Sequence, residues 1–144
     1  MPRSLEKESI TKVMTSKPKT INLKTSIEEV GKIFEKGEFH HLPVVDGKEL
    51  VGILSYTDLM RVSFEQSFGV TDKKAVYAVL DKTLDIESIM TKDPICILSS
   101  GTIREAAEKL CTGHFHSLPV VNDDHELVGI VTSKDLIAYL LKLK

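Results

Sequence analysis

Phe39-His40-His41-Leu42-Pro43-Val44-Val45 and Phe115-His116-Ser117-Leu118-Pro119-Val120-Val121 are one phrase written twice, offset by 76 residues. Reading outward from the pair, the offset holds. Val13-Met14-Thr15 returns as Ile89-Met90-Thr91, and Pro18, Ile27, Glu29 and Gly37 return as Pro94, Ile103, Glu105 and Gly113. Towards the C-terminus the second copy gains one residue in the turn Asn122-Asp123-Asp124-His125. Beyond it Glu49-Leu50-Val51-Gly52-Ile53 and Asp58-Leu59 return as Glu126-Leu127-Val128-Gly129-Ile130 and Asp135-Leu136, offset by 77. A polar turn tolerates such a slip; a strand does not, because one residue reverses which side chains face the core. The chain is therefore a tandem duplication, and each copy is one supersecondary unit.

Within a copy the elements follow from local chemistry. A short extended segment follows a proline, around Ile21 in the first copy and over Ile95–Leu98 in the second. Ser26-x-x-Glu29 and Thr102-x-x-Glu105 are capping boxes that open a helix. Ile27, Val30 and Phe34 then share one helical face, as do Ile103, Ala106, Ala107 and Leu110. Gly37 and Gly113 stand where a left-handed helix stop belongs. Leu42–Val45 and Leu118–Val121 are β-branched strands, Asp46-Gly47 is a tight hairpin, and Leu50–Leu54 and Leu127–Val131 are the return strands. Ser55-x-x-Asp58 and Thr132-x-x-Asp135 open a second helix. The predicted architecture is α+β: two βαββα units, residues 8–68 and 84–144, joined by a helical connector over 69–83. Phe64 and Phe68 extend the first unit's last helix to Gly69, and Asp72 caps a connector helix carrying Val76, Val79 and Leu80. One unit of roughly 55 residues buries too little core to stand alone, so the two are expected to pack sheet to sheet. In the last helix Leu136, Ile137, Ala138, Tyr139, Leu140, Leu141 and Leu143 are apolar nearly all round. Such a helix needs partners on more than one side, which predicts contact with its own sheet and with a second subunit.

Composition removes several function classes. The hydrophobic share is 42% and the charged share 28%, ordinary for a globular protein. A net charge of -2 argues against a general nucleic-acid or anionic-membrane binder. No apolar run approaches the ~20 residues that span a bilayer, and Met1–Glu8 has no apolar leader core, so a cytoplasmic location is expected. Cys96 and Cys111 lack Cys-x-x-Cys spacing and read as reduced thiols. His114-x-His116 and His125 match no zinc pattern and read as surface histidines. The sequence has no P-loop, nucleophile elbow, dinucleotide fingerprint or His-Glu-x-x-His, so no catalytic residue and no enzyme is expected.

With the repeat laid out, the chain resembles a tandem pair of cystathionine-β-synthase (CBS) domains, a Bateman module, over residues 8–143. The resemblance rests on Val13-Met14-Thr15, His41-Leu42-Pro43-Val44-Val45-Asp46 and Leu50-Val51-Gly52-Ile53-Leu54-Ser55-Tyr56-Thr57-Asp58. In the second copy it rests on Ile89-Met90-Thr91, Ser117-Leu118-Pro119-Val120-Val121 and Leu127-Val128-Gly129-Ile130-Val131-Thr132-Ser133-Lys134-Asp135. It implies a pseudo-twofold disc with two clefts between the sheets. It also implies a regulatory ligand such as AMP, ADP, ATP or S-adenosylmethionine, no obligatory cofactor, and a homodimer formed through helices. No effector domain is recognised in these 144 residues, so the signal is expected to pass to a separate protein.

A nucleotide needs acceptors for the ribose diol, donors for phosphate and an apolar slot for the base. The resemblance gives the first role to Asp58 and Asp135, whose carboxylates can accept from both ribose hydroxyls. Ser55 and Thr132 hold the hydroxyl position at the helix start. The same Ser/Thr-x-x-Asp pattern is also a plain capping box, and the two roles are compatible. His40, His41 and His116 stand where related modules carry phosphate-reaching Arg or His. Imidazole adds charge only when protonated, which implies weak triphosphate affinity and stronger binding at mildly acid pH. Lys134 is the best phosphate cation. The resemblance places the base near Pro18, Thr20 and Ile21, or near Pro94, Ile95 and Cys96; ordinary strand packing is the other reading of those six. The competing function is a ligand-independent assembly module.

Overall fold

The computed structural model describes residues 6–66 and 73–143. Phe68, Gly69 and Asp72 lie outside the described residues, as does the side chain of Phe64, and with them the predicted helix stop and connector cap. The strands are β1 (Thr15–Ser16), β2 (His41–Asp46), β3 (Glu49–Ser55), β4 (Thr91–Lys92), β5 (Ile97–Leu98), β6 (Ser117–Val121) and β7 (Leu127–Thr132). The helices are α1 (Ile27–Glu35), α2 (Tyr56–Gln66), α3 (Lys73–Thr83), α4 (Ile86–Ile89), α5 (Ile103–Thr112) and α6 (Ser133–Lys142), and Ile10–Lys12 forms a 3-10 turn.

The chain divides into two compact units, and each borrows its leading segment from the other repeat. One unit is Lys19–Asp93; the other joins Met1–Pro18 to Pro94–Lys144. In the first, β2 and β3 form an antiparallel hairpin and β4, from the start of the second repeat, adds to β3 with Thr91 opposite Ile53. In the second, the order is β1-β7-β6-β5, and β1, from the start of the first repeat, adds to β7 with Thr15 opposite Ile130. The glycines explain why the strands accept these guests. A Cβ on Gly129 would stand 2.6 Å from the Met14 sulfur, and one on Gly52 would collide with Met90. Leaving out the Cβ opens the room each methionine fills.

The cores follow the same exchange. Ile86 is fully buried among Ile27, Val30, Leu42, Val44, Leu54, Leu59 and Leu80, the core of the first repeat. Ile10 is fully buried with Ile97, Ala106, Leu118, Val120 and Val131, the core of the second. In α3, Val76, Tyr77 and Leu80 turn inward, whereas Val79 is 45% exposed. The buried face is thus Leu80 with Tyr77 and Val76, three and four residues before it, and Tyr77 is a residue the apolar pattern alone does not pick out.

Most boundaries follow the chemistry of the ends. Ser26 accepts from Glu29 N–H and Thr102 from Glu105 N–H, capping α1 and α5. Gly37 ends α1 at φ +74 and Gly47 turns the hairpin at φ +63. Gly113 departs from the expectation of a left-handed stop: its φ is -90 and its ψ 170, an extended backbone. What requires glycine there is the Phe115 ring, which occupies the space of a Cβ. Both hairpins carry a register shift at the paired valines, Val44/Val45 and Val120/Val121. A bulge kept in both copies increases the local twist at the same point of each sheet.

Candidate functional site: the two helix starts

Each repeat fastens a histidine-bearing strand to a capped helix start. In the first, His41 lies opposite Ser55 across the hairpin, and Tyr56 N–H donates to the His40 carbonyl at 2.9 Å. In the second, Ser117 lies opposite Thr132, and Ser133 N–H donates to the His116 carbonyl at 3.0 Å. The structure therefore brings His40, His41, Ser55 and Asp58 together in one unit, and His116, Thr132, Lys134 and Asp135 together in the other. His40, His116 and Lys134 are exposed; His41, Ser55, Asp58, Thr132 and Asp135 are half-buried.

Both Ser/Thr-x-x-Asp motifs are working caps. Asp58 N–H donates to Ser55 Oγ at 3.0 Å, and Ser55 N–H to Asp58 Oδ2 at 3.4 Å. Asp135 N–H donates to Thr132 Oγ1 at 3.1 Å, and Thr132 N–H to Asp135 Oδ2 at 2.9 Å. The two aspartates differ at the other oxygen. Asp58 Oδ1 accepts from Arg61 Nη2 at 3.1 Å, while Asp135 Oδ1 accepts no hydrogen bond from the described residues. Arg61 is a cation that motif reading passes over; its i, i+3 spacing from Asp58 on α2 is the signal that finds it. As an exposed pair this is worth only ~0.3–0.5 kcal/mol, so Arg61 is easily displaced.

The segments expected to face a base are built alike in the two repeats. Ile21 bridges to Val44 in parallel, with Ile21 N–H donating to Pro43 O and Val45 N–H to Ile21 O. Ile97, its repeat equivalent, pairs in parallel with Val120. The side chain of Ile21 is a core residue, and Thr20 is half-buried beside it. Pro94 and Cys96 are half-buried, Ile95 is 55% exposed, and burial pushes the Cys96 thiol up, which keeps it protonated. The residues just before the two prolines, Lys17 and Asp93, both adopt left-handed backbones, at φ 52 and 46. Pro18 and Pro94 thus follow equivalent strained turns. Strain of this kind persists only where the surroundings impose it.

A hollow of about 340 Å³ lies by Thr20, Ile21, Asn22, Thr25, Glu29 and Val45. A second, of about 350 Å³, lies between the end of α1, the start of α2 and α3. Among the described residues no group of three or more His, Cys, Asp or Glu side chains is placed to hold a metal ion. No helix among them is long and apolar enough to cross a membrane.

Two hairpins, each with a guest strand and a Ser/Thr-x-x-Asp helix start, define a duplicated α/β module. The CBS domain family model matches residues 10–65 and 86–142, and the chain belongs to that family as a tandem CBS pair. The structure of CBSX2 in complex with AMP matches it with a TM-score of 0.77 at 25% identity, over 94% of this chain and 97% of that one; CBSX2 is a protein of Arabidopsis thaliana. The CBS domain pair of protein MJ0100, in complex with 5′-methylthioadenosine and S-adenosyl-L-methionine, matches with a TM-score of 0.71 at 30% identity, over 92% and 98%. A CBS domain-containing protein of Dictyostelium discoideum is 31% identical over 86% of this chain and 85% of its own. The inosine-5′-monophosphate dehydrogenase of Korarchaeum cryptofilum is 32% identical over 81% of this chain. This chain spans about a fifth of the length of that enzyme, 21%. The 144 residues hold a CBS pair and no catalytic domain.

Proposed function

We propose that this CBS pair is a regulatory module that binds an adenine nucleotide or adenosyl ligand and passes its occupancy to an effector protein. The observation that carries the reading is the division of labour in the Asp135 carboxylate. One oxygen holds the helix cap and the other is left to accept from a ribose hydroxyl. Lys134 supports it. A lysine in the first turn of α6 opposes the helix dipole by ~0.3–1 kcal/mol, and an anion bound at that turn would reverse the sign. Ser55 and Asp58 form the matching arrangement in the first repeat, where a ligand would first displace Arg61. The structural relatives bound to AMP or to S-adenosylmethionine give the ligand class. Binding acts by population shift: the ligand prefers one arrangement of the protein and draws the ensemble towards it.

Calorimetry with AMP, ADP, ATP and S-adenosylmethionine tests this. AMP or S-adenosylmethionine is expected to bind more tightly than ATP, because His40, His41 and His116 supply few fixed charges for a triphosphate. Asp135→Asn keeps a cap acceptor but removes the charge, and is expected to weaken binding about tenfold or more. No heat with any of the four ligands, or unchanged affinity in Asp135→Asn, would sink the reading.

A second reading, an assembly module that works without ligand, has its own observation. On α6, Ile137, Leu140 and Leu141 are 59%, 53% and 83% exposed, while Leu136 packs on the second core. The helix therefore covers its own unit with one side and offers the other for a second copy. Sedimentation is expected to give a dimer for the wild type and a monomer for Ile137→Lys/Leu140→Lys. A wild-type monomer at micromolar concentration contradicts the dimer. If the melting temperature is unmoved by every adenosine ligand while the dimer is confirmed, this second reading replaces the first.

A further inference from the structure

The hollow at the end of α1 lies between the first repeat and the connector helix α3, and half of its lining is Phe and Tyr. Six residues form it: Phe34, Glu35, Gly37, His40, Tyr56 and Tyr77. Three are aromatic, in a chain with only eight Phe and Tyr residues and no Trp. Phe34 and Tyr56 meet edge to face, with ring centroids 5.7 Å apart and planes at 83°. Tyr77 reaches in from α3 and is 4% exposed. At about 350 Å³ the hollow falls at the small end of the range of ligand pockets. At the equivalent positions the second repeat carries Leu110, Cys111, Gly113, His116 and Ser133, with no Phe or Tyr among them.

The electrostatics point to the sign of the occupant. Aromatic faces carry negative potential, and Glu35 is the one acidic residue of the lining; no Lys or Arg is among the six. Burial, then the nearby Glu35 carboxylate, holds the Tyr77 phenol above its ordinary range, so the ring stays neutral and its hydroxyl stays protonated. Phosphate would meet a carboxylate and only one imidazole. A hydrated ammonium would lose more water than three rings return, whereas an alkylated ammonium is weakly hydrated and matches apolar rings with a carboxylate at the edge. We infer that the cavity bounded by Phe34, Tyr56, Tyr77 and Glu35 is a second ligand site, taking a small alkylated ammonium cation. Neither Asp58 nor Asp135 lines it, so it lies apart from the ribose carboxylates of the adenosine reading, with which it shares only His40.

Choline, titrated at constant chloride and followed by amide NMR, is the probe. Saturable shifts are expected at Gly37 and Tyr56. The uncharged isostere 3,3-dimethylbutan-1-ol is expected to bind about tenfold more weakly, and Tyr56→Ser, which installs the residue of the second repeat, to weaken choline about tenfold. Glu35→Gln, a surface change that leaves the core alone, is expected to weaken it several-fold. Equal affinity for choline and its isostere, linear shifts without saturation, or insensitivity to both variants would each overturn the assignment.

Discussion

Ile86→Ala lowers the stability of the fold by about 3 kcal/mol, and the damage appears in the repeat to which Ile86 does not belong by sequence. The residue is fully buried, so alanine removes three carbons from a closed core and leaves a cavity. It shares its core with Leu42, Val44 and Leu54 of the first repeat and Leu80 of the connector. Hydrogen exchange is the measurement that separates this from a general loss. Amides of β2 and β3 are expected to lose more protection than those of β6 and β7. Ile10→Ala, the equivalent change at the other end of the duplication, is expected to do the reverse. If Ile86→Ala instead exposes β6 and β7 first, the exchange of leading segments is wrong. A midpoint shift of roughly 10 °C should accompany either change.

That crossed dependence also marks the limit of what the sequence discloses. The hairpins and the helix caps are local: Asp46-Gly47 makes a turn and Ser55-x-x-Asp58 a cap whatever surrounds them, whereas the register shifts at the paired valines went unread. The hairpins and caps were legible for that reason. Which sheet β1 and β4 join is a long-range choice, decided by whether Met14 and Met90 fill the space above Gly129 or Gly52. Two repeats built on the same motifs offer similar alternatives, so pattern alone does not distinguish own from exchanged pairing. Gly113 shows the same limit at one residue. A glycine three residues beyond an apolar helix face reads as a left-handed stop, and only the position of the Phe115 ring reveals the other reason for it. At the site, the Asp58–Arg61 pair hid behind the motif that contains Asp58, and Tyr77 lay in a connector with no repeat partner to draw attention to it.

Gly31 is where the connector meets the first repeat, and alanine there reverses an ordinary expectation. In a helix interior Gly→Ala is worth roughly 1 kcal/mol in favour of folding. On α1, however, the new methyl would collide with three atoms of the Tyr77 ring. Tyr77 cannot swing aside freely, because it is buried against the core formed by Val76 and Leu80. Overpacking of this kind costs ~1–3 kcal/mol, which outweighs the helix term, so Gly31→Ala is expected to be net destabilising by about 1 kcal/mol and Gly31→Val by more. The decisive comparison is a double-mutant cycle with Tyr77→Ala. That change alone is costly, since it empties a buried aromatic site. In its background the collision is gone, and Gly31→Ala should become stabilising by up to ~1 kcal/mol. A sign that stays negative in both backgrounds would mean that α1 and α3 do not approach at Gly31, and the docking of the connector on the first repeat would have to be redrawn. The same cycle separates packing from ligand chemistry. Gly31→Ala alters the seat of the Tyr77 ring without adding or removing charge, so any loss of choline affinity it causes reports ring placement alone.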